Sequence, residues 1–316
     1  MVKTAFLFPG QGSQYVGMGK DLYDRYDSAK NVFEQAAAIL GPELLEVIFQ
    51  GPEEKLKQTE YTQPAVLATS LAVAAAVVEE MGLRPEGAAG LSLGEYSALV
   101  VAGSMAFEDA LTLVRRRGKL MQEAVPPGQG MMAAVMGLPR EEIERICCQV
   151  QTLGIAEPAN YNCPGQVVIS GEPEAVRKAG DLAREAGAKK VVVLKVSAPF
   201  HCALLKPVEE EMARELADID IRPPSIPVVF NCSAGFLSDP PGIKQALIRQ
   251  VSQAVLWEDS IRRLIEEGYD TFLELGPGKV LTGFMKRIDP TRFYASIGDR
   301  SSLIKVQAEL KEVSKC

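Results

Sequence analysis

An α/β fold on a mainly parallel sheet, interrupted by a small inserted domain, is what this sequence predicts, and three observations predict it. Short β-rich runs alternate with longer helical ones along most of the chain. Between Pro126 and Val196 that rhythm changes to strand, helix, strand, strand, helix, strand, which is the βαββαβ order of a ferredoxin-like unit. The composition, 316 residues at 47% hydrophobic and 24% charged, is that of a globular chain able to bury a sizeable core.

The large unit opens with a strand at Thr4–Phe8. An Ala-rich run from Pro64 to Val78 falls in a helix expected over Gln63–Met81; it carries Thr69 and Ser70 and ends at Glu79-Glu80, too short and mild for a bilayer span, so it reads as a core helix. A strand at Ala88–Leu91 leads into helices at Ser92–Val101 and Phe107–Glu123. Breakers mark the insert, with Pro126-Pro127-Gly128 at its entry and Ala198-Pro199 at its exit. Within it the pattern gives strand Met131–Met136, helix Arg140–Val150, strands Gly154–Tyr161 and Gln166–Ser170, helix Glu172–Ala186 and strand Lys189–Val196. The large unit resumes with helix Ala203–Leu216, strand Val228–Asn231, helices Ile243–Val251 and Glu258–Glu267, strand Thr271–Glu274, helix Lys279–Arg287 and strand Phe293–Ser296. The expected limits are 1–125 with 198–316 for the large domain and 126–197 for the small one, with a site in the cleft between them.

Charge and residue counts narrow the function. Lys plus Arg total 34 against 41 for Asp plus Glu, a net charge of −7, which is the wrong sign for a general nucleic-acid binder. The stub Met1 to Pro9 reaches a turn too soon for a secretory signal, so no membrane association and a cytoplasmic location are expected. Cys147, Cys148, Cys163, Cys202, Cys232 and Cys316 form no CxxC and read as reduced thiols. His201 is the sole histidine, so no histidine-based metal site can be built, and it is the leading acid–base candidate near pH 7.

Gly90-Leu91-Ser92-Leu93-Gly94 is the one G-x-S-x-G, placed between a short strand and a helical run. That is the setting of a nucleophile elbow, which makes the large domain α/β-hydrolase-like: the glycines permit the tight turn, the serine is exposed at its apex, and the next N–H can help hold an oxyanion. The plain alternative is a glycine-flanked turn with an incidental serine. His201, in Ser197-Ala198-Pro199-Phe200-His201 at the expected domain junction, can supply the imidazole an activated serine needs, although a satisfied histidine near a helix start is the commoner case. A cysteine nucleophile, Cys163 or Cys202, competes but has no comparable turn motif. On helix Phe107–Glu123, apolar residues at positions 110, 113, 114, 120 and 121 build one face, and Arg117 falls on it while Arg115 and Arg116 project elsewhere. A guanidinium there needs an acidic partner, either a structural carboxylate or a ligand's. Phe8-Pro9-Gly10-Gln11-Gly12-Ser13-Gln14 fits neither dinucleotide nor P-loop spacing; it can instead aim backbone N–H groups, Gln11 among them, into a cleft.

These residues resemble the malonyl-CoA:acyl carrier protein transacylases and the related polyketide synthase acyltransferase domains. The resemblance covers nearly the whole chain, from Phe8–Gln14 and Gly90–Leu99 through Arg116-Arg117-Gly118, the 160–171 stretch, Pro199-Phe200-His201, Arg249-Gln250 and Trp257 to Leu275–Leu281. It implies Ser92 as nucleophile, His201 as its base, the backbone carbonyl of Gln250 as the group orienting His201, N–H groups of Gln11 and Leu93 as oxyanion hole, Arg117 on the malonyl carboxylate, and Asn162 near the pantetheine arm. It also implies that Phe200, just before the histidine, goes with malonyl rather than methylmalonyl units. Implied substrates and partners are malonyl-CoA and an acyl carrier protein, in fatty acid synthesis, with no metal or redox cofactor. Leu91 departs from the family, which usually has histidine there. A thioesterase or carboxylesterase using water, and a carrier-binding module without catalysis, are the rival readings; Arg117 speaks against the first and an intact Ser–His pair against the second. Lys189-Lys190 and Lys286-Arg287 are candidate basic patches for an acidic carrier.

Overall fold

The computed structural model describes residues 3–196 and 198–313, and the side chains of all but Val313 among them. Met1, Val2, Cys316 and the expected domain limit at Ser197 lie outside the described residues. Two sheets organise the chain. The larger holds β1 (Thr4–Phe8), β2 (Gly87–Gly90), β7 (Val228–Phe230), β8 (Gly235–Phe236), β9 (Thr271–Leu275) and β10 (Phe293–Ile297) in the order β10-β9-β1-β2-β7-β8. All pairs are parallel except β7 with β8. Strands β1, β2, β7 and β9 are buried throughout, as expected of a parallel sheet covered by helices on both faces.

The smaller sheet holds β3 (Met131–Met136), β4 (Ala156–Cys163), β5 (Gln166–Gly171) and β6 (Lys190–Val193) in the antiparallel order β4-β5-β3-β6, with helices Arg140–Gln149 and Pro173–Glu185 between strands. This is the βαββαβ arrangement the sequence predicts. It leans on the larger unit through β4: Tyr161 N–H donates to Val255 O at 2.9 Å and Val255 N–H to Ala159 O at 2.8 Å. Arg140 adds a two-pronged contact to Asp259, both bonds 3.0 Å.

Boundaries differ where local chemistry decides. The strand expected over Lys189–Val196 is regular over Lys190–Val193, with the Lys189 and Leu194 N–H groups still bonding Met136 and Met132 of β3, and Leu194, Lys195 and Val196 line a cleft. The helix expected from Ser92 starts at Gly94, leaving Ser92 free in the turn. Helices at Lys20–Arg25, Asp27–Leu40, Glu43–Phe49, Glu53–Leu56 and Arg300–Val313 have no counterpart in the sequence reading. The Ala-rich helix runs over Thr59–Met81, 23 residues, long and apolar enough to cross a membrane by length and composition; most of it is buried within the fold, packed against Phe107–Glu123 and Asp27–Leu40.

The tightest packing in the large unit lies at the turn after β2. Register sets Phe8 of β1 beside Gly90 of β2, and the helix starting at Gly94 passes directly over both strand ends. A side-chain carbon on Gly90 would stand 1.9 Å from the Gly94 carbonyl carbon, and one on Gly94 would stand 2.1 Å from the Phe8 carbonyl oxygen. Both glycines are thus demanded by backbone-on-backbone contact. Gly90→Ala is expected to lower unfolding stability by about 1–3 kcal/mol or more, since rigid backbone cannot make room for the methyl; urea denaturation measures it, and a loss below about 0.5 kcal/mol, the ordinary surface-substitution range, contradicts the packing account.

Candidate active site

In an open parallel sheet the carboxyl ends of the strands point to one edge, where ligands bind. Here β1 delivers the Gly10–Gln14 loop, β2 delivers Ser92, and β7 delivers Asn231 to that edge. Ser92 is held at φ 53°, in the left-handed region, a strain of about 1–3 kcal/mol in a non-glycine residue. The turn exposes its hydroxyl and places it just ahead of the helix Gly94–Val101, whose N-terminal dipole favours negative charge. G-x-S-x-G is therefore an elbow and not an incidental glycine turn.

His201 also sits at positive φ, 59°, and is almost wholly buried. Its Nε2 lies 2.8 Å from Ser92 Oγ and its Nδ1 lies 2.7 Å from the backbone carbonyl oxygen of Gln250. Because a carbonyl can only accept, Nδ1 carries the proton and Nε2 presents a lone pair to the serine. Gln250 ends the helix Pro240–Gln250, where carbonyls are left without helical partners and the dipole favours a cation. A helix end thus stands where a carboxylate completes other serine triads. Burial, aided by the Arg117 charge, pushes the imidazole down to about 4, so His201 is a neutral base at pH 7.

Arg117 is 1% exposed on the buried face of its helix. Its guanidinium donates to Gln63 Oε1 at 2.9 Å, Gln250 Oε1 at 2.8 Å and Ser92 Oγ at 3.1 Å. Every one of these acceptors is neutral. The nearby carboxyl, Glu95, is pushed by burial up to about 8, against the opposing pull of hydrogen bonds and of Arg117 itself, and its Oε2 bonds the Asn231 N–H and not the guanidinium. A buried cation without an anionic partner is costly, and the cost is relieved if an acid enters beside it. Arg115 and Arg116 do project elsewhere: Arg115 reaches the Leu40 carbonyl at 3.4 Å and Arg116 pairs with Glu215 at 2.8 Å.

These groups open into a cleft of about 320 Å³ between the two sheets. Ser92, Leu93, Arg117 and His201 line its floor, with Gln11, Leu91 and Phe200 around them and Met132, Asn160 and Leu194 from the small unit opposite. Among the described residues neither the Gln11 nor the Leu93 backbone N–H meets an acceptor, so both are free to serve an incoming oxyanion. Phe200 is 8% exposed, its ring filling the wall beside His201. Asn162 is buried but does not reach the cleft; Asn160 does, because β4 carries bulges on either side of it that shift which residues face inward. Leu91 supplies an apolar part of the wall. The competing cysteines fail on position and acidity: neither lines the cleft, burial lifts Cys163 to about 11 and raises Cys202, and Cys202 Sγ bonds the Pro199 carbonyl. No group of three metal-binding side chains is placed to hold an ion among the described residues.

Asn231, Glu95 and Gln63 were not legible as site residues. Asn231 Oδ1 accepts the Ser92 N–H at 2.6 Å across 139 positions of sequence, and nothing local announces such a contact. Glu95 did carry a signal, a single charge within the otherwise uncharged run from Leu93 to Gly103.

Comparison with known proteins places this geometry. The acyl transferase domain family matches residues 5–294. The malonyl CoA-acyl carrier protein transacylase of Bacillus subtilis is 45% identical over 99% of this chain and 98% of its own length, and that of Escherichia coli K12 is 44% identical over 96% and 98%. Among solved structures, the malonyl CoA-acyl carrier protein transacylase of Clostridium perfringens superposes with a TM-score of 0.96 at 42% identity, covering 99% of this chain and 98% of that one. A malonyl-transacylase in complex with a type II polyketide synthase acyl-carrier protein gives 0.94 at 45% identity, covering 97% and 99%. Similar along its whole length in sequence and in backbone, the chain belongs to the acyl transferase family, in the branch of the malonyl CoA-acyl carrier protein transacylases.

Proposed function

We propose that this protein moves a malonyl group from malonyl-CoA to the phosphopantetheine thiol of an acyl carrier protein, through a malonyl ester of Ser92, in a cleft between a large domain of residues 1–125 with 198–316 and an insert of residues 126–197. The observation that carries the reading is the buried Arg117 guanidinium, 3.1 Å from the Ser92 hydroxyl and bonded to neutral acceptors only. A carboxylate two bonds from the reacting carbonyl supplies the missing anion. In the first half-reaction Ser92 Oγ attacks the thioester carbonyl as its proton passes to His201 Nε2. The oxyanion is held by the Gln11 and Leu93 N–H groups, and collapse expels the CoA thiol with the proton returned from His201. In the second, His201 takes the proton of the carrier thiol as its sulfur attacks the ester carbonyl, and collapse breaks the bond to Ser92 Oγ, which takes that proton back from His201.

The Gln250 carbonyl keeps His201 in the tautomer this needs, and Phe200 narrows the space beside the α-carbon, favouring malonyl over a branched unit. Carrier rather than water as second nucleophile accords with the relative solved with its carrier protein. Fatty acid synthesis is the process such a product supplies, and a cytoplasmic location goes with it.

Ser92→Ala is expected to abolish the acyl-enzyme and His201→Ala to slow turnover by about 10⁴-fold, with the double variant no worse than the more damaged single, because nucleophile and base act as one unit. Intact-protein mass after malonyl-CoA reads this directly. An adduct that persists until carrier thiol is added supports transfer; immediate hydrolysis supports an esterase, and no adduct in the wild type a non-catalytic binding module.

Arg117→Ala is expected to lose malonyl-CoA acylation by at least about 100-fold, the scale of a lost charge-assisted pair, while acetyl-CoA acylation is retained or gained. Equal loss of both substrates in a folded variant would make Arg117 a scaffold residue and remove the basis for malonyl selectivity.

A further inference from the structure

Two side chains to which the acylation steps assign no task stand behind the elbow. Glu95, 1% exposed, lies in the first turn of the helix Gly94–Val101, and its Oε2 accepts the backbone N–H of Asn231 at 2.6 Å. Asn231, also 1% exposed, follows β7 and lays its carboxamide across the elbow. Its Oδ1 accepts the Ser92 N–H at 2.6 Å and its Nδ2 donates to the Gly90 carbonyl at 2.7 Å. The amide has one possible orientation, since reversal sets N–H against N–H on one side and oxygen against oxygen on the other. The Gln250 carboxamide completes the hold by donating to the Ser92 carbonyl at 2.9 Å. The left-handed turn at Ser92 is thus pinned two residues before it, at the Gly90 carbonyl, on its own N–H and on its own carbonyl.

Core packing alone does not account for Glu95. Its helix is otherwise apolar or small, its Oε1 meets no donor at hydrogen-bond distance among the described residues, and no cationic side chain is hydrogen-bonded to it. Its Oε2 bond goes to the residue that clasps the elbow. We propose that Glu95 and Asn231 are a positioning pair for acyl transfer: Glu95 fixes Asn231, and Asn231 fixes the strained turn that aims Ser92 Oγ at His201 and the Leu93 N–H into the cleft. This rests on Ser92 being the nucleophile.

The test is pre-steady-state acylation by malonyl-CoA of Glu95→Ala, Asn231→Ala and their double variant, beside Ser92→Ala. Each single variant is expected to slow the acylation step about 10- to 100-fold, as displacing a nucleophile by a fraction of an ångström does. KM for malonyl-CoA stays within about threefold because Arg117 is untouched, and the double variant is no slower than Asn231→Ala, since Glu95 acts through it. Glu95→Gln, which keeps an oxygen for the Asn231 N–H, rescues most of the loss. Folded variants with unchanged acylation rates, losses that multiply in the double variant, or kcat and KM falling away together with thermal stability would each overturn the pairing. If the alanine variants do not fold, Asn231→Asp serves: it keeps the acceptor for Ser92 and loses the donor to Gly90, and full activity in it overturns the proposal. Acyl-enzyme in Ser92→Ala is a different failure, that of the nucleophile assignment itself.

Discussion

One buried charge organises this site. The Arg117 guanidinium is removed from water by its helix face, and the protein answers it with the amides of Gln63 and Gln250 and the Ser92 hydroxyl, never with a carboxylate. A buried charge so placed costs stability, and in the function proposed here the malonyl carboxylate offsets that cost. The same charge reaches the base, since it is one of the two causes that hold His201 neutral to about pH 4. In the function proposed here Arg117 bears on both halves of the chemistry, meeting the acidic acyl group and adding to the burial that keeps the base neutral. Gln250 ties the two together, with its side chain on Arg117 and its main-chain carbonyl on His201.

The fold supplies the other constraint, a serine held in a strained turn at the carboxyl edge of a parallel sheet. Backbone contact between β1, β2 and the following helix leaves no room for side chains at Gly90 or Gly94. The Ser92 hydroxyl is thereby brought between a helix N-terminus on one side and the carbonyl end of another helix, at Gln250, on the far side of His201. In the proposed reaction, negative charge developing on the oxyanion and positive charge developing on the imidazole would each be met by a helix end of the right sign.

Legibility in the sequence followed the range of the interactions. The elbow, the lone histidine and Arg117 were readable because motif, count and helical period are local properties, and the βαββαβ insert was readable because its strands and helices alternate cleanly. The short helices at Lys20–Arg25, Glu43–Phe49 and Glu53–Leu56 are shorter than two helical turns, too few residues to show a period. Asp27–Leu40 buries Ala29, Phe33 and Ala36, an apolar stripe too small to stand out. Asn162, which the family resemblance puts near the pantetheine arm, is buried, while Asn160 lines the cleft; bulges in β4 break the alternation by which a strand's faces are counted. Asn231 and Gln63 were silent because their partners lie 139 and 54 positions away.

Because His201 is the only histidine in the chain, its imidazole resonances in an NMR titration need no assignment. The account predicts that they titrate near pH 4 in the free enzyme, that the midpoint rises in the malonyl-enzyme, where a carboxylate cancels the Arg117 charge, and that it rises less in an acetyl-enzyme. A midpoint at the ordinary histidine value of about 6.5 in the free protein, or one that moves equally for malonyl and acetyl adducts, would contradict the central claim that the Arg117 charge, added to burial, acts on the base and meets the acid of the substrate.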